Sequence, residues 1–290
     1  MTRAHALTVD VEDYYHATAV ESVLPRSQWQ DLPERVQDNT RKVLELFAAS
    51  GVQATFFVLG VVARRHPGLI REIVLAGHEV ACHGLSHKLV YQQSPEEFAS
   101  ETRDAKKIIE DAIGDEISGY RAASYSITRR SLWALDVLAE AGFKYDSSIF
   151  PIRHDRYGLT GVEINPHCAK TPAGYAIMEW PITVTNILGF TLPVTGGGYF
   201  RLYPEILSRY LFRYVSARQQ RRFMFYFHPW EIDRDHPEVG LKGFSRFRHY
   251  NNIERYAGRI KRLLAEFEFS PVKEIVESAC AGRSFDYSLL

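Results

Sequence analysis

The chain has 290 residues, 46% of them hydrophobic and 24% charged, with 35 Lys and Arg against 35 Asp and Glu. That length suits one large domain or two small ones, and the composition excludes an intrinsically disordered chain. Zero net charge excludes a protein that grips nucleic acid or an anionic membrane through a general basic excess.

In chain order, the first residues hold no apolar run of signal-peptide length. Leu7 to Val9 reads as a strand ending in the acidic cluster Asp10, Glu12 and Asp13. Asn39 is the expected N-cap of a helix running to Ala49, with Gly51 just past its end. Thr55 to Leu59, β-branched and aromatic, reads as a buried strand, and a helix completed by Leu69 to Ala76 stops at Gly77. Glu79 to Cys82 is a third strand; Ser94-Pro95-Glu96-Glu97 then opens a helix with an N-cap, a proline at N1 and early carboxylates.

A strand before Arg121, a helix from Arg129 to Ala141 and a strand near Lys144 to Ser147 continue the rhythm. From Ile149 to Gly198 the pattern loosens into β-rich insertions and loops. Phe223 to Phe227 is a very apolar strand, and Tyr250 to Phe267 reads as a helix. Its Ile253, Ala257, Ile260 and Leu264 share one face, and Arg255, Arg259, Lys261 and Arg262 form a solvated one. Strands regularly followed by helices predict an α/β protein with a parallel sheet, open or closed into a barrel. No apolar stretch approaches the ~20 residues of a spanning helix. Cys82, Cys168 and Cys280 fit a reducing compartment better than a disulfide framework. The expectation is a cytoplasmic protein without a membrane span.

Functional side chains of such sheets gather at the carboxyl ends of the strands. Four polar clusters stand where a strand reading ends: Asp10/Glu12/Asp13, His83/His87, Arg121 and His228. Two histidines four residues apart can face one ion, and an added carboxylate leaves positions open for water and substrate. Asp10 and Glu12 alternate by two and so share one face of an extended strand. One can hold a metal while the other takes a proton, with Asp13 an alternative ligand. Beside Asp10, Arg121 would fix the carboxylate through a bidentate pair. His228 is a candidate acid. Cys82 should turn away from the pocket, into the core. Gly196-Gly197-Gly198 lacks the Lys and helix start of a phosphate loop and reads as a tight turn or a close substrate approach.

At these residues the sequence resembles the polysaccharide deacetylase family, the NodB-homology carbohydrate esterases, and within it the subgroup linked to exopolysaccharide and exosortase loci. The resemblance rests on Thr8-Val9-Asp10-Val11-Glu12-Asp13, His83-Gly84-Leu85-Ser86-His87, Arg121-Ala122-Ala123-Ser124, Asp146 and Tyr226-Phe227-His228, in the family's order. Three departures stand out. D-V-E-D replaces an adjacent Asp-Asp, Gly84 stands where Ser or Thr is usual, and Ala123 and Ser124 replace Pro and an aromatic residue.

The resemblance implies an irregular (β/α)7 barrel over residues 1–240, with a C-terminal helical extension, 241–290, packed on it. It also implies Asp10 as general base, Arg121 as its orienting partner, His228 as acid, and a divalent ion, commonly zinc, on Glu12, His83 and His87. The Ser124 amide would help stabilise the oxyanion. Tyr125, Trp180 and Trp230 are candidate sugar-stacking walls, with core packing an equal reading for Trp180. The expected activity is metal-dependent removal of N-acetyl groups from hexosamine units of a glycan. The runners-up are an amidohydrolase acting on a small linear or cyclic amide and an inactive glycan-binding module. The expected partner is an N-acetylated glycan and not nucleic acid; oligomeric state is left open.

Overall fold

The computed structural model describes residues 4–154 and 156–290. Its central sheet is built from strands β1 (His5–Val11), β2 (Thr55–Val58), β3 (Glu79–Cys82), β4 (Gly119–Tyr120), β5 (Tyr145–Asp146), β6 (His167–Lys170) and β7 (Ala176–Glu179). A hairpin, β8 (Val184–Ile187) with β9 (Phe190–Pro193), stands apart from it. Later in the chain come β10 (Met224–Phe227), β11 (Phe269–Ser270) and β12 (Ser284–Asp286). The strand order is β10-β1-β2-β3-β4-β5-β7-β6-β12, with β11 on β1. Every pairing from β10 to β7 is parallel; only β6 and β7 run antiparallel within this sheet. The two ends of the parallel run meet through Thr183, whose Oγ1 accepts the Met224 amide at 2.9 Å.

The helices are α1 (Val36–Ser50), α2 (Gly60–Arg65), α3 (Pro67–Leu75), α4 (Pro95–Ile113), α5 (Ala134–Glu140), α6 (Gly197–Leu202), α7 (Glu205–Arg213), α8 (Gly243–Tyr250), α9 (Ile253–Glu266) and α10 (Val272–Cys280). The result is the expected α/β class with a central parallel sheet. Strands β1, β2, β3 and β10 are buried at every position, which is why they read as unbroken apolar runs and not as alternating ones. Among the described residues no helix is long and apolar enough to cross a membrane.

Local signals were right where a short-range contact decides the structure. Ser94 and Glu97 form a reciprocal capping box on α4, and Gly51 closes α1 with φ 63°. One failed where a distant group intervened. Helix α1 starts at Val36, not at Asn39, because Asp13 Oδ2 accepts the amides of Arg35 (2.6 Å) and Val36 (3.0 Å) from outside the helix. Asn39 instead donates through Nδ2 to Asp233 at 3.0 Å.

The helix expected over 129–141 is broken into a turn at Arg129–Ser131 and α5, where Thr128 and Ser131 satisfy each other. The helix expected from Tyr250 starts at Ile253, since Asn252 (φ 60°) separates α9 from α8. Of its basic face, Arg255 and Lys261 are exposed as expected, but the other two residues are engaged. Arg259 is buried with its guanidinium 4.5 Å over Phe200, and Arg262 pairs with Glu205 at 2.6 Å. The residues after 240 supply β11 and β12 to the main sheet as well as helices.

His5 opens β1 with its ring stacked on Phe223 at 3.7 Å and Nδ1 accepting the Phe223 amide at 3.1 Å. Burial, then the nearby Arg222 charge, pushes its pKa from 6.5 to about 3. Between those values the unfolded chain binds a proton that the folded one refuses, so stability falls as pH drops from 6.5 towards 3. The expected loss from this residue is about 2 kcal/mol by pH 5, from ~1.4 kcal/mol per unit of difference. Urea unfolding at pH 7 and pH 5 measures it. His5→Gln keeps an acceptor for the Phe223 amide and should flatten that part of the slope.

Candidate functional site

The parallel strands deliver Asp10, Glu12, His83, Arg121 and His228 to one end of the sheet, as the sequence reading expects. Asp10 is 2% and Glu12 1% exposed, because β1 is flanked by β2 and β10 and its alternate residues face the interior. Arg121, wholly buried, donates from Nη1 to Asp10 Oδ1 at 2.7 Å. The pair is a single contact and not the bidentate one expected, since the remaining donors are spent elsewhere. Nη1 also reaches Thr8 Oγ1 (2.8 Å), Nη2 reaches Ser147 Oγ (3.1 Å) and Nε reaches the Ser147 carbonyl (3.3 Å). The guanidinium lies 4.0 Å over Phe57, which fixes its plane.

Glu12, His83 and His87 each offer a ligand atom, and the three atoms lie within 4.8 Å of one another. His83 Nδ1 lies 2.8 Å from the Arg121 carbonyl, which sets the tautomer and leaves Nε2 with its lone pair towards the cluster. Burial lowers the His83 pKa to about 4, so the ring is neutral at pH 7, as a ligand must be. Glu12 Oε2 is buried without a hydrogen-bond donor, 2.8 Å from His87 Nε2 and 3.9 Å from His83 Nε2. Burial alone would raise the Glu12 carboxyl; His87, His228 and His83 together hold it well below its usual range. A buried carboxylate oxygen aimed with two imidazoles at one point fits a divalent cation, in the donor set that leaves positions for water and substrate.

His87 sits in the left-handed region (φ 60°) on a loop that Arg26 ties down, donating to the carbonyls of Ser86 (3.0 Å) and His87. Asp13, the alternative ligand, lies outside this cluster. Its Oδ1 accepts the Tyr14 amide at 2.9 Å and its Oδ2 caps α1, which makes it a structural carboxylate.

His228 leaves β10 with Nε2 3.4 Å from Glu12 Oε1 and 3.9 Å from Asp10 Oδ2. Burial would lower its pKa, but Glu12, Glu231 and Asp10 outweigh that and push it up to about 9. A ring charged at neutral pH can give up a proton, which suits an acid.

Ser124 and Tyr125 are consecutive non-glycine residues in the left-handed region, with φ 50° and 54°. Ser124 is half-buried, and its hydroxyl lies 2.5 Å from Thr18 Oγ1. Tyr125 and Trp230, expected as aromatic walls, are buried at 7% and 5% exposure, and Trp180, at 1%, packs in the core, the second of its two readings. Tyr125 packs edge-on against Phe150 and Tyr226, and Trp230 is sandwiched between the rings of His228 and His249. Cys82 is core, as expected, with burial raising its thiol to about 12.

The glycine run is a close approach, but to protein. A Cβ on Gly196 would strike the Tyr226 ring and one on Gly197 the Glu231 carboxylate. A helix, α6, does begin at Gly197, contrary to the sequence reading. Sequence reasoning passed over Glu231, Arg201, Arg26 and Asp233. The only local signal was His228-Pro229-Trp230-Glu231, a histidine and a carboxylate three apart in a tight turn.

Residues 27–145 match the family model described as polysaccharide deacetylase, and residues 147–277 match a domain of unknown function, DUF3473. A chitooligosaccharide deacetylase of Bradyrhizobium sp. (strain ANU 289) is 36% identical over 100 residues, 34% of this chain and 43% of that protein. A peptidoglycan-N-acetylglucosamine deacetylase of Bacillus cereus is 32% identical over 71 residues, 24% of this chain and 33% of that protein. The chain thus spans less than half the length of these relatives. A crystal structure of a candidate polysaccharide deacetylase from Mycobacterium smegmatis superposes with a TM-score of 0.63 at 18% identity, covering 98% of both chains, and shows the same fold. The two histidines and Arg121 lie inside the segment that matches the polysaccharide deacetylase model, less than half of the chain, while the acidic strand and His228 stand beside them from outside it.

Proposed function

We propose that this protein hydrolyses the N-acetyl groups of hexosamine units in a glycan, through a divalent ion, zinc by preference, on Glu12, His83 and His87. The observation that carries the reading is the buried Glu12–His83–His87 cluster with Asp10 and His228 both facing it. A divalent ion held there supplies Lewis-acid polarisation of the acetyl carbonyl and of the attacking water. Asp10, fixed by Arg121, takes a proton from that water as it adds to the carbonyl carbon. His228 gives a proton to the sugar nitrogen as the C–N bond breaks. One water is consumed, a free amine and acetate result, and no bond to the protein forms. The Ser124 amide is a further donor for the oxyanion.

The substrate class comes from the deacetylase relatives, which supports an N-acetylated glycan over a small amide. The DUF3473 segment points to the exopolysaccharide-linked subgroup, and the cysteines suit a reducing compartment.

Acetate release from N-acetylglucosamine oligomers, peptidoglycan fragments and N-acetylated exopolysaccharide, with and without zinc, cobalt and manganese, tests the proposal. Metal-dependent release from at least one glycan is expected. No release with any metal, or no metal taken up, overturns it. Release from a small cyclic amide alone would favour the amidohydrolase.

A further inference from the structure

We infer that Glu231, braced by Arg201 and given room by Gly197, is a positioning residue that sets the tautomer and orientation of the His228 ring. The inference rests on the deacetylase reading above for what that ring does, but not for how it is held. Glu231 Oε2 lies 3.1 Å from His228 Nδ1 and accepts the His228 amide at 2.9 Å. A carboxylate only accepts, so the shared proton sits on Nδ1, and Nε2 is the atom presented to Glu12 and Asp10.

The carboxylate is itself held. Arg201 Nε donates to Oε1 at 2.8 Å, and Arg201 Nη1 is pinned by the carbonyls of Arg248 (3.2 Å), His249 (2.7 Å) and Asn251 (3.1 Å). Arg201 is 2% and Glu231 1% exposed, so the pair is cut off from solvent and stiff. Trp230 lies parallel to the His228 ring at 5.3 Å and, on the side of His249, parallel again at 5.0 Å, which blocks the ring from swinging.

Gly197 and Arg201 both belong to α6, one turn apart, so a single helix makes the space for the carboxylate and supplies its counter-charge. All of these parts lie within residues 147–277, the segment matched by a domain of unknown function. Its share of the site is then the holder of the acid, while the segment before it brings the two metal-facing histidines. The competing reading is that Glu231 merely closes its own turn through the His228 amide.

Two perturbations separate these readings in the full-length chain. Gly197→Ala displaces the carboxylate sterically, while Gly198→Ala, whose Cβ meets nothing within 4 Å, is its control. The double variant Arg201→Met/Glu231→Leu removes both charges together and avoids leaving a buried cation unpaired. Nitrogen-15 NMR of the histidines, recorded above pH 9 where the His228 ring is neutral, reads the tautomer in metal-free protein, and acetate release with zinc content reads the consequence.

The expected result is loss of the His228 Nδ1–H tautomer in the double variant and in Gly197→Ala. A fall in kcat on the order of 10²-fold should accompany it, with KM and bound zinc unchanged. Gly198→Ala should match the wild type. A retained tautomer or a retained kcat in the double variant overturns the inference, as does parallel loss of zinc and kcat, the mark of general structural support. If wild-type protein releases no acetate, the deacetylase reading falls, and the tautomer alone decides this one: changed in the double variant it stands, unchanged it falls.

Discussion

Asp10→Ala is expected to lower acetate release by at least about 10³-fold and, in the same protein, to cost about 3–5 kcal/mol of folding stability. The two losses have different origins. Activity fails because no other carboxylate can take Asp10's place: Glu12 is turned towards the two metal-facing histidines and Asp13 caps α1. Stability fails because Arg121, with no exposed surface, would keep its charge and lose its only carboxylate contact among the described residues. The hydroxyls of Thr8 and Ser147 remain, but neutral acceptors do not balance a buried cation. Asp10→Ala/Arg121→Met should therefore regain most of the stability while staying inactive. Urea unfolding and acetate release on the three proteins check both halves. A single variant as stable as wild type would mean that Arg121 is satisfied without Asp10.

His83→Ala and His228→Ala should both be nearly inactive and yet differ in metal content. His83 presents Nε2 to the cluster and is locked there by the Arg121 carbonyl, so its removal leaves two ligand groups and should reduce bound zinc to a small fraction of one per chain. His228 stands outside the cluster of ligand atoms, 3.4 Å from Glu12 and 21% exposed along its side chain. Its replacement should leave zinc near one per chain and lower kcat by 10²–10⁴-fold, the usual worth of a positioned acid. Metal analysis of the dialysed proteins alongside the assay decides the matter. Equal zinc in both variants would overturn the division of roles between these histidines.

Much of this site was legible before folding because it depends on strand ends. A buried parallel strand announces itself as an unbroken apolar run, and the polar residue that ends it has nowhere to go but the carboxyl end of the sheet. Asp10, Glu12, His83, Arg121 and His228 were all found that way, and the register β10-β1-β2-β3-β4 brings them together. The HxxxH spacing and the Asp10/Glu12 alternation needed only local geometry to read correctly.

What stayed hidden depends on contacts between segments far apart in sequence. Glu12 and Asp13 are adjacent in the chain and equally acidic. Only the approach of α1 to Asp13 assigns one to the ligand cluster and the other to a helix cap. Trp230 and Tyr125 carry the chemistry of sugar-stacking walls, but neighbouring rings already cover both faces of Trp230 and pack against Tyr125. Arg259 sits in a row of basic residues that reads as a solvated face, and it is buried because α9 turns it over Phe200.

The zero net charge excluded polyanion binders and said nothing about the site. The sequence by itself determined which side chains could meet at the sheet's end, because strand burial and period-two alternation are local properties of the chain. The tertiary structure alone decided which carboxylate joins the two histidines, which caps a helix and which contacts His228. That choice is made by hydrogen bonds from residues 22 to 30 positions away, such as Val36 and Arg35 on Asp13 and Arg201 on Glu231.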